Sequence, residues 1–337
     1  MSQLASTALS VLDLVPIRQG GSAGETFRDS VSLAQHAESL GYQRYWLAEH
    51  HNMQGIASSA TAVVIGHVAQ GTRSIRVGSG GIMLPNHAPI VIAEQFGTLE
   101  ALFPGRIDLG LGRAPGTDQQ TSMALRRTLQ GDIDEFPRDV MELKHYLAPP
   151  KENQRVHAVP GGGAEVPIWM LGSSLYGAQL AALLGLPFAF ASHFAPAAMM
   201  QAIDIYRTRF EPSAQQEGPY VMLGFNVCAA ETDDEARFLR TSATQSFLKL
   251  RSGTPGRLPP PVEGLELTPG QQKMLDEMRS ASAVGSAETI TKTIDDFLVK
   301  TGADELIISC QIYEHSKRLR SYEIISEVAD LQSNVAA

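Results

Sequence analysis

Short runs rich in β-branched and aromatic residues alternate with amphipathic helical stretches along nearly the whole 337-residue chain, and this alternation is what most restricts the fold. Strands that are always separated by helices cannot pair as hairpins. They pair in parallel, with each helix serving as the crossover. Residues 10–15 read as a first strand, 26–40 as a helix stopped by Gly41, and 44–48 as a second strand. The strand pattern returns at 75–79, 107–111, 166–171, 188–191, 220–229 and 305–309, with helical stretches between. Eight strand–helix units in a chain of this length predict an α/β fold, a (β/α)8 TIM barrel with an insertion before the eighth strand. An open doubly wound sheet is the alternative. Residues 1–337 read as a single barrel domain, and 251–283, Pro/Gly-rich around Pro259-Pro260-Pro261, as the insertion. Loops this long are usually functional or disordered, so the insertion is expected to form a mobile lid or rim loop.

Charge and composition narrow the function. The net charge of −9, with no Lys/Arg cluster interleaved with aromatics, argues against a nucleic-acid partner. No apolar run approaches the roughly 18 to 20 residues of a membrane span, and residues 1–10 lack a signal-peptide pattern, so a cytoplasmic protein away from membranes is expected. Cys228 and Cys310 form no CxxC pair and read as buried core thiols.

In a barrel the chemistry sits at the C-terminal ends of the strands, so polar residues just past each strand are the candidates. These are Asp13, Glu49-His50-His51, Ser79-Gly80-Gly81, Arg113 and Gly172-Ser173-Ser174. Histidine titrates nearest neutrality, which makes His50 and His51 candidate proton-transfer residues. Adjacent strand residues point to opposite faces, and no HxH or HExxH spacing accompanies the pair, so no metal site is expected. Gly80-Gly81 permits close backbone approach by a flat ligand, with a tight turn as the alternative. The run Gly110-Leu111-Gly112-Arg113-Ala114-Pro115-Gly116 has the wrong spacing for a dinucleotide fingerprint. Arg113 suits bidentate phosphate binding, and the helix start at Ser173-Ser174 offers free N–H groups to the same anion. A structural ion pair for Arg113 and simple N-capping for Ser174 remain open.

Several of these landmarks recur together in longer runs. They are Trp46-Leu47-Ala48-Glu49-His50-His51, Val77-Gly78-Ser79-Gly80-Gly81-Ile82 with Leu84-Pro85, Pro89 with Ala93-Glu94-Gln95, and Gly105-Arg106-Ile107-Asp108-Leu109-Gly110-Leu111-Gly112-Arg113. In this order, and with Gly302-Ala303-Asp304-Glu305-Leu306 near the C-terminus, they resemble the bacterial luciferase-like family of flavin-dependent monooxygenases along essentially the whole chain. The resemblance implies an FMN-binding barrel with the phosphate at the fourth and fifth strands, where Arg113, Gly172, Ser173 and Ser174 lie. It matches His50 and His51 to the family's histidine pair, with His50 the proton-transfer residue and His51 in support. Gly80-Gly81 matches a non-prolyl cis peptide beneath the isoalloxazine ring. Asp13 and Ser79, as strand-end polar residues, complete the expected cofactor-binding set.

The expected reaction uses reduced FMN as co-substrate, supplied by a separate flavin reductase, and oxygen to oxidise a small-molecule substrate. The resemblance further implies a homodimer formed through the helices after the second and third strands. Gly112 stands where luciferase's catalytic subunit has a reactive cysteine, so light emission does not follow. A deazaflavin-dependent hydride-transfer enzyme and a non-catalytic flavin-binding protein are the two alternatives.

Overall fold

The computed structural model describes residues 3–113, 119–125 and 135–331, so Ala114-Pro115-Gly116 of the fourth-strand motif lies outside the described residues. Eight strands close into a parallel barrel in the order β1 (Ala8–Asp13), β2 (Arg44–Leu47), β3 (Arg76–Met83), β4 (Ile107–Gly112), β5 (Ile168–Gly172), β6 (Phe188–Phe190), β7 (Val221–Ala229) and β9 (Glu305–Ser309). The ring closes where β9 pairs with β1, and every crossover is helical as the alternation predicts. The helices are α1 (Ala23–Ser39), α2 (Thr61–Gly71), α3 (Pro89–Leu102), α4 (Gln119–Leu125), α5 (Phe136–Leu147), α6 (Leu175–Leu184), α7 (Met199–Thr208), α8 (Asp233–Arg251), α9 (Pro269–Met278), α10 (Ala287–Thr301) and α11 (His315–Ala329). Local chemistry sets their ends. Ser22 and Glu25 form a capping box at α1, Thr268 and Gln271 form another at α9, and Pro89 occupies the first turn of α3.

The insertion contains more structure than its composition indicates. Besides α9 it ends in a ninth strand, β8 (Ser282–Gly285), which pairs in parallel with the far half of β7. The reason lies in the length of β7. Its pairing with β9 stops at Asn226, and β8 satisfies the backbone groups that would otherwise form an edge from Asn226 to Ala229.

Strand residues alternate between the barrel interior and the helical layer, and this parity decides which side chains can reach a ligand. On β1, Leu12 belongs to the inner core while Leu9 and Val11 pack outward under the helices. On β2, Trp46 and Ala48 face inward, and Tyr45 and Leu47 face outward. The inner core is small, with Trp46 and Trp169 meeting edge to face at 5.1 Å. Below it the N-terminal end is plugged by charge. Arg44 donates to both Asp108 (3.0 Å) and Glu305 (3.1 Å), and Arg76 holds the other oxygen of Asp108 at 2.6 Å. With the bottom sealed, the interior opens only toward the C-terminal ends of the strands.

Candidate active site

A cavity of about 1290 Å³ occupies the strand mouths. Its floor continues the inward-facing positions of the strands, including Leu14, Gly80, Gly112, Leu171, Asn226 and Ser309. The insertion supplies part of its wall through Leu258, Leu265, Leu267, Leu275 and Met278. Leu258, buried at 2 % exposure, exchanges backbone hydrogen bonds with Ile17 and Gln19 in the loop after β1, which holds this stretch on the strand-mouth rim.

His50 and His51 are separated by parity. His50 has the same sense as Arg44, Trp46 and Ala48 and lines the cavity. Burial lowers its pKa below the ordinary histidine value, more than nearby Glu49 raises it, so the ring is neutral at pH 7. Its Nδ1 is buried with no partner among the described residues. His51 lies outside the cavity lining, and its Nε2 meets Glu49 Oε1 at 2.8 Å. The same carboxylate oxygen meets His87 Nε2 at 2.9 Å, and Oε2 accepts from the Met83 N–H at 3.1 Å. Burial opposes the Glu49 charge, but the hydrogen bonds from His51, His87 and Met83 outweigh it and hold the carboxyl at about 2. Glu49, His51 and His87 thus form a cluster of three groups with metal-ligating atoms that the sequence reading did not assemble, because His87 comes from the segment after β3. In this structure the cluster is a hydrogen-bonded tie between the exits of β2 and β3.

Asp13 departs from the expectation. Its odd position on β1 turns it away from the cavity into the helical layer, where it is fully buried. There it accepts from Ser30 (2.6 Å), Tyr45 (2.5 Å), Arg318 (2.8 Å) and the Val15 N–H (2.9 Å). It fixes the exit of β1. Ser79 likewise lies outside the lining, with its hydroxyl donating to the Gly110 carbonyl at 2.9 Å.

Gly80 and Gly81 both line the cavity, and the bond between them is cis. Their need for glycine comes from the protein itself. A Cβ on Gly81 would lie 2.6 Å from the Gly110 carbonyl oxygen, and one on Gly80 would lie 2.8 Å from Leu12.

Arg113, Gly172, Ser173 and Ser174 converge on one end of the cavity. The Arg113 guanidinium sits 4.1 Å over the Tyr176 ring, so the residue after β4 reaches the first turn of α6. No carboxylate pairs with it among the described residues. Ser174 occupies the N-cap position of α6, yet its side chain makes no capping bond. Its hydroxyl and the first N–H groups of the helix are available to a phosphate beside Arg113. Gly172 allows α6 to start this close, since a Cβ there would lie 3.3 Å from Gly177.

Several cavity residues escaped the sequence reading. His193, three residues past β6, lies beside His50; burial, reinforced by His50, lowers its pKa to about 4. Asn226 donates to the His193 carbonyl at 2.7 Å and steadies that segment. The signal was present, since His193, Asn226 and Gln311 keep the inward parity of their strands, but the parity had to be carried past each strand end.

A barrel sealed at one end, with a deep and largely apolar cavity carrying a few polar groups at its strand mouths, is the architecture of a barrel enzyme. The luciferase-like monooxygenase family profile matches residues 7–305. A luciferase-like monooxygenase of Escherichia coli K12 is 54% identical over 325 residues, covering 96% of this chain and 97% of that one. The crystal structure of apo-MsnO8 superposes with a TM-score of 0.86 at 32% identity, covering 96% of this chain and 99% of that one. A type II Baeyer–Villiger monooxygenase, the oxygenating constituent of 3,6-diketocamphane monooxygenase from Pseudomonas putida in complex with FMN, shares the fold at 19% identity. Its TM-score is 0.71, over 96% of this chain and 98% of that one. The chain belongs to the luciferase-like monooxygenase family. No described helix is long and apolar enough to cross a membrane.

Proposed function

We propose that the protein is an FMN-dependent monooxygenase that takes reduced FMN from a separate reductase and uses oxygen to oxidise a small organic substrate. The observation that carries this reading is the convergence of Arg113, Tyr176 and the uncapped start of α6 at one end of a cavity large enough for flavin and substrate together. The residues present fit FMN. Arg113, Ser173, Ser174 and the α6 N–H groups would hold its phosphate, and Gly80-Gly81 would support its ring system. Bound reduced FMN would supply the electrons for oxygen insertion.

The chain's own residues then have distinct tasks. The neutral His50 imidazole, with Nδ1 unpartnered among the described residues, takes up or returns a proton at the reaction centre. His51 acts through Glu49, holding the β2 exit against the segment after β3. His193 is a second neutral ring on the same cavity wall. The insertion, residues 251–283, serves as a lid: its pinned part around Leu258 acts as hinge, and the stretch through α9 shields the cavity from water. Two copies pair through α2 and α3, where Val63, Leu102 and Val91 are 73, 63 and 40 % exposed. Sedimentation at micromolar concentration would read this as a dimer.

The central test is a titration of the purified protein with FMN and reduced FMN, followed by oxygen uptake with a flavin reductase and a substrate screen. Binding of reduced FMN and substrate-dependent oxygen consumption are expected. Turnover of reduced deazaflavin without oxygen, or flavin binding with no turnover, would overturn the reading.

A further inference from the structure

Across the mouth from Arg113 the cavity holds another guanidinium, for which the flavin site has no use. In an eight-stranded ring β4 stands opposite β9, and Arg240 lies on that opposite side, close to Cys228 on β7 and Cys310 just after β9. It projects from the face of α8 on which Arg237, Arg240, Thr244 and Phe247 recur every three or four residues, and all four line the cavity. Arg237, nearer the helix start, is paired with Asp234 on the surface. Arg240 has neither a carboxylate nor a hydrogen-bond acceptor for its guanidinium among the described residues. The two cysteines do not serve as counter-ions, since burial pushes both thiols up and keeps them neutral. Burial pulls Arg240 itself below its ordinary value, but a guanidinium stays charged at neutral pH.

The surroundings make this cation exceptional. In a chain of net charge −9 the described lining of the cavity contains five arginines and no Asp, Glu or Lys. A half-buried cation without a partner in a largely apolar cavity wall is an open anchoring position, and an anion that enters with its own apolar body would pair with it as water is displaced. The body has its place. Phe247, Leu250, Leu258, Leu265, Leu267 and Met278 line the cavity from α8 and the insertion.

We propose that Arg240 anchors the acidic group of the substrate, so that the protein acts on an organic carboxylate with an aliphatic body. The inference rests on the flavin assignment above for its division of labour, Arg113 for the cofactor phosphate and Arg240 for the substrate carboxylate. It is a statement about binding specificity.

The probes are n-octanoate and octan-1-ol, which share an aliphatic chain and differ in the charged end. Their affinities are measured by calorimetry on the FMN-loaded protein. Octanoate is expected to bind about tenfold or more tightly than octanol, as a charge-assisted contact requires. Arg240→Gln should abolish that preference and leave FMN affinity unchanged, while Arg240→Lys should keep part of it. Equal affinities in the unmodified protein would overturn the proposal, as would a preference that survives in Arg240→Gln. Loss of FMN binding in Arg240→Gln, with Arg113→Ala still binding it, would place the cofactor phosphate at Arg240 and overturn it too. If Arg240→Gln does not fold, the unmodified protein and Arg240→Lys decide. If the unmodified protein binds no FMN, the functional reading fails by itself, and the same comparison on the free protein still judges the anion site.

Discussion

Replacing Glu49 by Gln separates the charge of this residue from its shape. The carboxyl is 1 % exposed and receives hydrogen bonds from His51, His87 and the Met83 N–H. It sits at about 2 where the ordinary value is 4.5, which at about 1.4 kcal/mol per pKa unit corresponds to roughly 3 kcal/mol favouring the charged form. Gln keeps one acceptor but sets its N–H₂ against either the Met83 N–H or the two histidine Nε2 atoms, so Glu49→Gln should cost about 2 to 4 kcal/mol at pH 7. The pH dependence has a definite sign. Because the folded value lies below the unfolded one, the contribution is fully present above pH 4.5 and is lost as pH falls toward 2. Urea unfolding followed by the fluorescence of the buried Trp46 and Trp169 measures both forms. The gap between them should narrow steadily from pH 5 to pH 3. A gap below about 1 kcal/mol at pH 7, or one that stays constant over that range, would refute the assignment of Glu49 as a charged tie between the exits of β2 and β3.

Further outcomes are expected elsewhere in the site. Arg113→Ala should weaken FMN binding by roughly 1.5 to 3 kcal/mol, read by flavin fluorescence; unchanged affinity in a folded variant removes Arg113 from the site. His50→Ala should lower turnover about 100-fold or more with little change in FMN affinity, whereas His51→Ala should lower stability more than turnover. The opposite pattern would exchange their roles. Asp13→Ala leaves the buried Arg318 charge uncompensated and should destabilise the fold by about 3 to 5 kcal/mol, measured by denaturant unfolding, while FMN affinity in the folded protein is kept. Limited proteolysis should cut residues 263–281 more slowly when FMN and a cavity ligand are bound; cleavage that ligands do not slow, with full activity in a shortened variant, would reduce the insertion to a packing role.

Much of the barrel was legible in the chain itself because it rests on local signals. Strand-forming runs separated by amphipathic helices impose parallel pairing wherever they fold, and residues 305–309 form β9 with those bounds. The phosphate-binding candidates were legible for the same reason: Arg113 follows a strand and Ser174 precedes a helix, and those positions depend on nearby sequence alone. The ninth strand was not legible, because Ser282–Gly285 is a strand only through the free edge that the longer β7 offers it.

Sequence by itself determined that His50 and His51 point opposite ways and that Asp13 and Leu14 do too, since successive strand residues alternate faces. Which of each pair meets the cavity was decided only by closure of the sheet, which turned Leu14 and His50 inward and left Asp13 to Arg318 and His51 to Glu49. The same holds for the contacts across the mouth. His87 reaches Glu49 across 38 positions and Tyr176 meets Arg113 across β5, distances along the chain that no local pattern encodes. Arg240 is the extreme case. In the sequence it is one arginine on an amphipathic helix, and its lack of a partner among the described residues arises only in the folded barrel, whose described cavity lining contains no acid.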